Sequence, residues 1–311
     1  MHRFKNILYL ADGPAPQRQG LDRALALART NQARLTVLDV TEEVRADWDP
    51  QRLYGPKLTQ ALVERRLSAL EALTAPYEDA GVMMYTQVLT GTPFVEVIRQ
   101  VQRDGHDLLI KAPRAGKGLT DQALGSSDMH LLRKCPCPVW IDHPRIAHPY
   151  RTLLAAVDPT DPQAGELNRL ILDLATTLAA REQAALHVVH VWRLHGEALL
   201  RGGWAGLDSA DLEALFAGTE QGHRDALNRV LAPYGMTAAD PKVHLVKGEA
   251  ATVISALAAE LDADLILMGT LGRIDVPGLF IGSTAEDVLS TTRSSVLALK
   301  PPGFVSPVAV T

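Results

Sequence analysis

Apolar residues along the chain gather in short unbroken runs, separated by longer stretches where they recur every three or four positions. In the second half the runs fall at 152–157, 185–191, 242–246, 264–268 and 295–300. Runs this short and this apolar predict strands buried on both faces. Between them lie helical patterns. One starts at Asp161-Pro162 and runs to about Ala180, a long one ends near Pro233-Tyr234-Gly235, one covers 251–260, and a short one opens at Ser283. A cap residue followed by proline in the first turn is the start signal for the first of these. The first half follows the same order. Strands alternating with helices predict a parallel sheet covered on both sides.

The two halves also share residues. Residues 6–12 (NILYLAD) recur as 152–158 (TLLAAVD), and 35–40 (LTVLDV) recur as 186–191 (LHVVHV). Gly91, Asp107, Gly125 and Val139 match Gly248, Asp264, Gly282 and Val296 at one constant offset of 157. A fixed offset over that length indicates a duplicated domain, not a solenoid. Residues 1–145 and 150–302 are the expected domains. The polar, proline-bearing segment at 142–150 is the linker between them. The fold class is α/β, doubly wound, twice over.

Composition then removes alternatives. With 47% apolar and 22% charged residues, the chain has an ordinary globular makeup, which excludes disorder and collagen-like repeats. No run approaches the roughly 20 apolar residues of a membrane span. The N-terminal run at 7–11 is too short for a signal peptide, so a cytoplasmic protein is expected. A net charge of −5 disfavours binding to a phosphate backbone, and 5% aromatic content leaves little for base stacking. Neither nucleic acid nor membrane is an expected partner.

Candidate chemistry concentrates after the 264–268 run. Met268 closes the strand, Gly269 and Gly272 follow, and Gly282-Ser283-Thr284 opens a helix. Glycines let backbone approach a ligand closely. A helix start with hydroxyl neighbours offers unpaired N–H groups to an anion. The spacing Gly269-x2-Gly272-x9-Gly282-Ser283 resembles the nucleotide-binding signature of the universal stress protein family. Val157-Asp158 closing the first strand of that half agrees, as does Met129 to Val139, which resembles the tandem members. The resemblance implies an adenine-nucleotide-hydrolase-like fold, with five parallel strands in each half ordered 3-2-1-4-5 and the halves related by a pseudo-two-fold axis.

It also implies a stress-response regulator that binds ATP or AMP, with magnesium admitted, in its second domain. Asp158 would meet adenine or ribose, while Val157 and Val191 line the base pocket. Gly269, Gly272, Gly282, Ser283 and Thr284 would hold ribose and phosphates, and Arg273 would add charge. Pro159-Thr160-Asp161 departs from the family's serine-bearing segment, and Asp161 opposes a phosphate. At the matched positions the first half has Ala112, Pro113 and Ala115, so two glycines and one backbone donor are gone. That half reads as degenerate. The alternative is a carrier or sensor whose non-nucleotide ligand sits in the first domain or between domains.

The remaining groups add little chemistry. There is no phosphate-binding G-x-x-x-x-G-K-[ST] loop and no G-x-S-x-G nucleophile. Slow ATP hydrolysis or autophosphorylation is the most the site would support, and no catalytic residue is assigned. Cys135 and Cys137 lie near His130, His143 and His148, but Cys-x-Cys is tighter than usual zinc spacing, so no metal is expected. His187 and His190 lie three apart on one strand and face opposite sides. The apolar last strands, at 139–141 and 296–299, would lie at sheet edges and are expected to cover one another. That pairing would make an internal pseudo-dimer, and a homodimer of the tandem chain is a further assembly.

Overall fold

The computed structural model describes residues 4–11, 18–43, 54–113, 126–144, 146, 148–194, 196–201, 208–270 and 283–310. The first sequence half contributes β1 (Asn6–Leu10), α1 (Arg18–Asn31), β2 (Arg34–Thr41), α2 (Tyr54–Thr74), β3 (Met84–Thr90), α3 (Pro93–Asp104), β4 (Leu108–Lys111), α4 (Ser126–Lys134) and β5 (Val139–Ile141). The second contributes β6 (Thr152–Ala156), α5 (Gly165–Glu182), β7 (Ala185–Trp192), α6 (Glu197–Arg201), α7 (Ser209–Leu231), β8 (Val243–Lys247), α8 (Ala250–Glu260), β9 (Leu265–Gly269), α9 (Ser283–Thr291) and β10 (Ser295–Leu299). The five strands of the second half fall within a residue or two of the apolar runs. Among the described residues no helix is long and apolar enough to cross a membrane.

The chain forms two compact units. Among the described residues, the first holds 4–148 with 295–310, and the second holds 149–270 with 283–294. In the first, parallel strands run in the order β3-β2-β1-β4-β5, the expected order. Every β1 residue is buried, as are all of β4 and β5, which is why these runs carry no polar alternation. In the second unit β9, β6, β7 and β8 lie side by side, all parallel.

The last strand is placed differently from the others. β10 comes from the second sequence half yet counts with the first unit, where it pairs antiparallel with β5. Val296 lies opposite Ile141, Leu297 opposite Trp140 and Ala298 opposite Val139. The two apolar edges that needed cover therefore cover each other. The Ser295 hydroxyl donates to Asp142 Oδ1 at 3.4 Å and accepts from the His143 N–H at 3.0 Å, which pins the register at the strand start.

One helix start differs from its sequence signal. α5 begins at Gly165, not at Asp161-Pro162. The Asp161 carboxylate accepts from the Gln163 N–H at 2.9 Å, and its carbonyl accepts from the Ala164 N–H at 3.1 Å. The cap-type side chain is thus spent closing a turn before the helix, the known competition between aspartate-centred turns and helix caps.

Candidate functional site

β6 stands between β7 and β9, so the chain winds one way from β6 through β7 to β8 and then returns to the other side for β9. In open α/β sheets such a reversal is where ligands bind, beyond the carboxyl ends of the strands that flank it, here β6 and β9. Val157-Asp158 follows β6, and β9 itself ends on Met268-Gly269. The predicted binding residues on these two segments therefore emerge from neighbouring strands.

The turn after β6 is held from several sides. The Val157 N–H donates to the Val189 carbonyl at 3.0 Å, extending the ladder one residue past the strand. Asn168, buried on α5, then clasps the next residue: the Asp158 N–H donates to Asn168 Oδ1 at 2.9 Å, and Asn168 Nδ2 donates to the Asp158 carbonyl at 2.8 Å. The Asp158 carboxylate accepts from the Thr160 hydroxyl at 2.9 Å and from the Thr160 N–H at 3.3 Å. Pro159-Thr160 is thus an aspartate-centred turn that aims one carboxylate. Asn168 carries no motif, and only the fold brings it across ten residues to Asp158.

A second unanticipated partner stands behind Val157. His190 Nδ1 lies 3.2 Å from the Val157 carbonyl, and His190 Nε2 lies 2.8 Å from His223 Nδ1 on α7. For the pair to be satisfied, His190 donates from Nδ1 to the carbonyl and accepts at Nε2 from His223. His223 packs in turn against Trp192, ring centroids 5.5 Å apart. On the opposite face of β7, His187 Nδ1 lies 3.0 Å from His244 Nε2. The two strand histidines do face opposite sides, as their spacing required. Val191 lies between His190 and Trp192 on β7, so its side chain points to the His187 face.

Gly269 has a local reason to be glycine. A Cβ there would stand 2.7 Å from Leu167 Cδ2 on α5, so the missing side chain lets the helix close onto the strand end. Met268 is buried beneath it and Thr270 is buried beyond it. Ser283 begins α9, whose first turn also contains Thr284 and the acidic Glu286. Gly272, Arg273 and Gly282 lie outside the described residues.

The matched region of the first unit is built with charges. Lys111 ends β4, fully buried, and its ammonium pairs with Asp128 in the first turn of α4. Ala112 and Pro113 follow it, while Asp12, Ala115 and Gly125 lie outside the described residues. Asp39 on β2, buried, pairs with Arg66 on α2 at 3.3 Å.

Comparison with known proteins agrees with this duplicated plan. The model of the universal stress protein family matches residues 3–143 and again 149–300. Universal stress protein E of Escherichia coli K12 is 25% identical over 316 residues, spanning 99% of this chain and 98% of its own. Its namesake in Photorhabdus laumondii is 25% identical over 321 residues. A crystal structure from Pseudomonas aeruginosa UCBPP-PA14, assigned to the universal stress proteins, superposes with TM-score 0.74 at 26% identity, covering 96% of this chain and 94% of that one. A universal stress protein of Archaeoglobus fulgidus shares the fold, with TM-score 0.64 at 20% identity over 94% of this chain and 98% of its own. Matched twice and nearly end to end, the chain belongs to the universal stress protein family.

Proposed function

We propose that this stress-response protein binds one adenine nucleotide per chain, ATP or AMP, in the crevice beyond β6 and β9, and that the first half binds none. The observation that carries the reading is the fixed carboxylate of Asp158. Its backbone is clasped by Asn168 and its side chain is oriented by Thr160, so it meets a ligand amino group or ribose hydroxyl without losing further conformational freedom. The N-terminus of α9, with Ser283 and Thr284, supplies donors suited to phosphate. Gly272, Arg273 and Gly282 belong to the same phosphate-holding segment. Val157 and Val191 complete the base side. Asp161 and Glu286 oppose a phosphate and lower the affinity without moving the site. Magnesium, where ATP carries it, belongs to the ligand.

In the first half the buried ion pair Lys111–Asp128 uses internally the cation and the helix-start region that an anion would need. Calorimetric titration of the full chain with ATP and with AMP tests both parts. The expected stoichiometry is one, abolished in the Asp158→Ala, Gly282→Val variant and unchanged in Asp12→Ala. Ser283→Ala is expected to cost about 1 kcal/mol, the net value of one hydrogen bond. Two equivalents per chain, or full affinity in the double variant, overturns the reading. Mass spectrometry of small molecules that co-purify separates it from a non-nucleotide carrier.

A further inference from the structure

Away from the proposed nucleotide crevice, the first unit holds a compact group of two sulfurs and one nitrogen. α4 ends at Lys134, and the Cys135 N–H still donates to the Leu131 carbonyl at 2.9 Å. The chain then bends through Pro136 and Cys137 before β5 begins at Val139. Across that bend Cys135 Sγ and Cys137 Sγ are 3.5 Å apart. Lys300 follows β10, which runs antiparallel to β5 and so ends where β5 starts. Its ammonium donates to the Leu132 carbonyl at the α4 terminus, capping that end of the helix with positive charge. The group lies at the amino-terminal end of the parallel strands, opposite to the end where loop-bound ligands sit.

We propose that Cys135 and Cys137 form a reversible dithiol–disulfide site, with a hydroperoxide as oxidant and a small thiol as reductant. The sulfurs already touch, and a disulfide at about 2.05 Å needs only a further approach of roughly 1.5 Å, within reach of side-chain rotation. The two thiols are electrostatically unequal. Burial raises both, but the Cys137 hydrogen bond and the Lys300 charge bring Cys135 below the ordinary thiol value. Cys137 is held well above it by its bond to Cys135 and by burial, with Asp107 adding to the rise. Burial lowers the Lys300 ammonium to about 8 while the two sulfurs pull it back up. Cys135 is therefore the more acidic thiol and the attacking sulfur, with the Lys300 charge acting on it.

The electron count closes without any other partner. The Cys135 thiolate attacks one peroxide oxygen, so an S–O bond forms, the O–O bond breaks, and the departing oxygen takes a proton from Lys300. Cys137 then attacks the resulting sulfenic sulfur. The S–S bond forms, the S–O bond breaks, and water leaves with the Cys137 proton. One peroxide is reduced by two electrons and the dithiol is oxidised by two. Cys135 is fully buried and Cys137 is 6% exposed, so the reaction proceeds through local opening. Because the second sulfur waits in contact, condensation outruns over-oxidation to the sulfinic acid.

The chain has two cysteines in all, so intact mass reads the outcome directly. The full chain is treated with hydrogen peroxide, quenched, unfolded, alkylated with a maleimide and weighed, with a non-reducing gel run alongside. The expected product is a monomer two hydrogens lighter that takes no maleimide and regains both adducts after dithiothreitol. Cys135→Ser is expected to lose the disulfide altogether. Lys300→Met is expected to slow its formation several-fold, and Lys300→Arg, which keeps the charge but does not give up its proton, to slow it less. Two maleimide adducts after peroxide, a sulfinic acid as main product, or cross-linked dimers in place of the monomer each overturn the proposal. So does a Lys300→Met protein that stays folded by circular dichroism and reacts as fast as the parent.

Discussion

At the end of β4 stands Lys111, and at the matched end of β9 stands Met268. The offset of 157 that equates them also equates Asp128 with Ala285 and Arg66 with His223. The first unit fills these places with ion pairs, Lys111 with Asp128 fully buried and the half-buried Arg66 with buried Asp39. The second fills them with buried Met268 and Ala285, and with the imidazole pair His190–His223. Both solutions leave the sheet intact. They differ in what remains for a ligand. Charges that answer each other inside the protein are withdrawn from recognition, whereas an apolar floor leaves the neighbouring backbone and helix start to an outside partner.

The largest expected effect comes from breaking the first unit's pair. Asp128→Ala alone should destabilise the chain by about 3–5 kcal/mol, because it leaves the Lys111 charge buried and unanswered. Adding Lys111→Met copies the second unit and should restore most of that loss, read as the midpoint of urea unfolding. A double variant as unstable as the single one would show that the two units are not interchangeable there.

Next in size is Asn168→Asp, which keeps the shape of the side chain and removes its donor. A second carboxylate would face the Asp158 carbonyl in place of the Asn168 donor. The expected cost is about 2 kcal/mol, typical of a buried acceptor left unpaired, with nucleotide affinity falling alongside stability. Gly269→Ala copies Ala112 and should cost about 1 kcal/mol, at the low end of overpacking because a leucine methyl can rotate aside. Combining it with Leu167→Ala should remove the clash, and strict additivity of the two losses would argue against that contact.

The smallest effect concerns pH. His187 and His244 both titrate below the ordinary value of 6.5, burial being the main cause, with His244 repelling the charged form of His187. A base with a depressed folded pKa takes its proton first in the unfolded chain. Stability from this pair is therefore complete above 6.5 and is lost as the pH falls through that value toward the folded pKa. Replacing both with glutamine should flatten the acid limb of the stability curve, and an unchanged slope would assign it to other groups.

Much of this architecture could be read from the residues, and the reason is periodicity. Strands such as β1 and β9 are buried along nearly their whole length, so their apolar runs mark them without a partner being known. The site was legible only where one stretch of chain carries it. Val157-Asp158 and Met268-Gly269 stood out because each closes an apolar run. Asn168 and His190 did not, since each acts on a residue that only the folded chain brings near. The displaced start of α5 has a similar cause: Asp161 reads as a cap, and only the folded chain shows its carboxylate closing a turn on the Gln163 N–H.

The placement of β10 also bears on how the protein is made. The bond from the His143 N–H to the Ser295 hydroxyl spans 152 residues, and the strand that covers β5 is made only after the four other strands of the second half. Until then, the nascent first half carries an uncovered apolar edge through the synthesis of the entire second half. At roughly 5–20 residues per second, that exposure lasts on the order of ten seconds or more. The duplicated plan therefore specifies a first-made unit that waits for a strand of the second half, and loss of β10 injures the unit that was translated first.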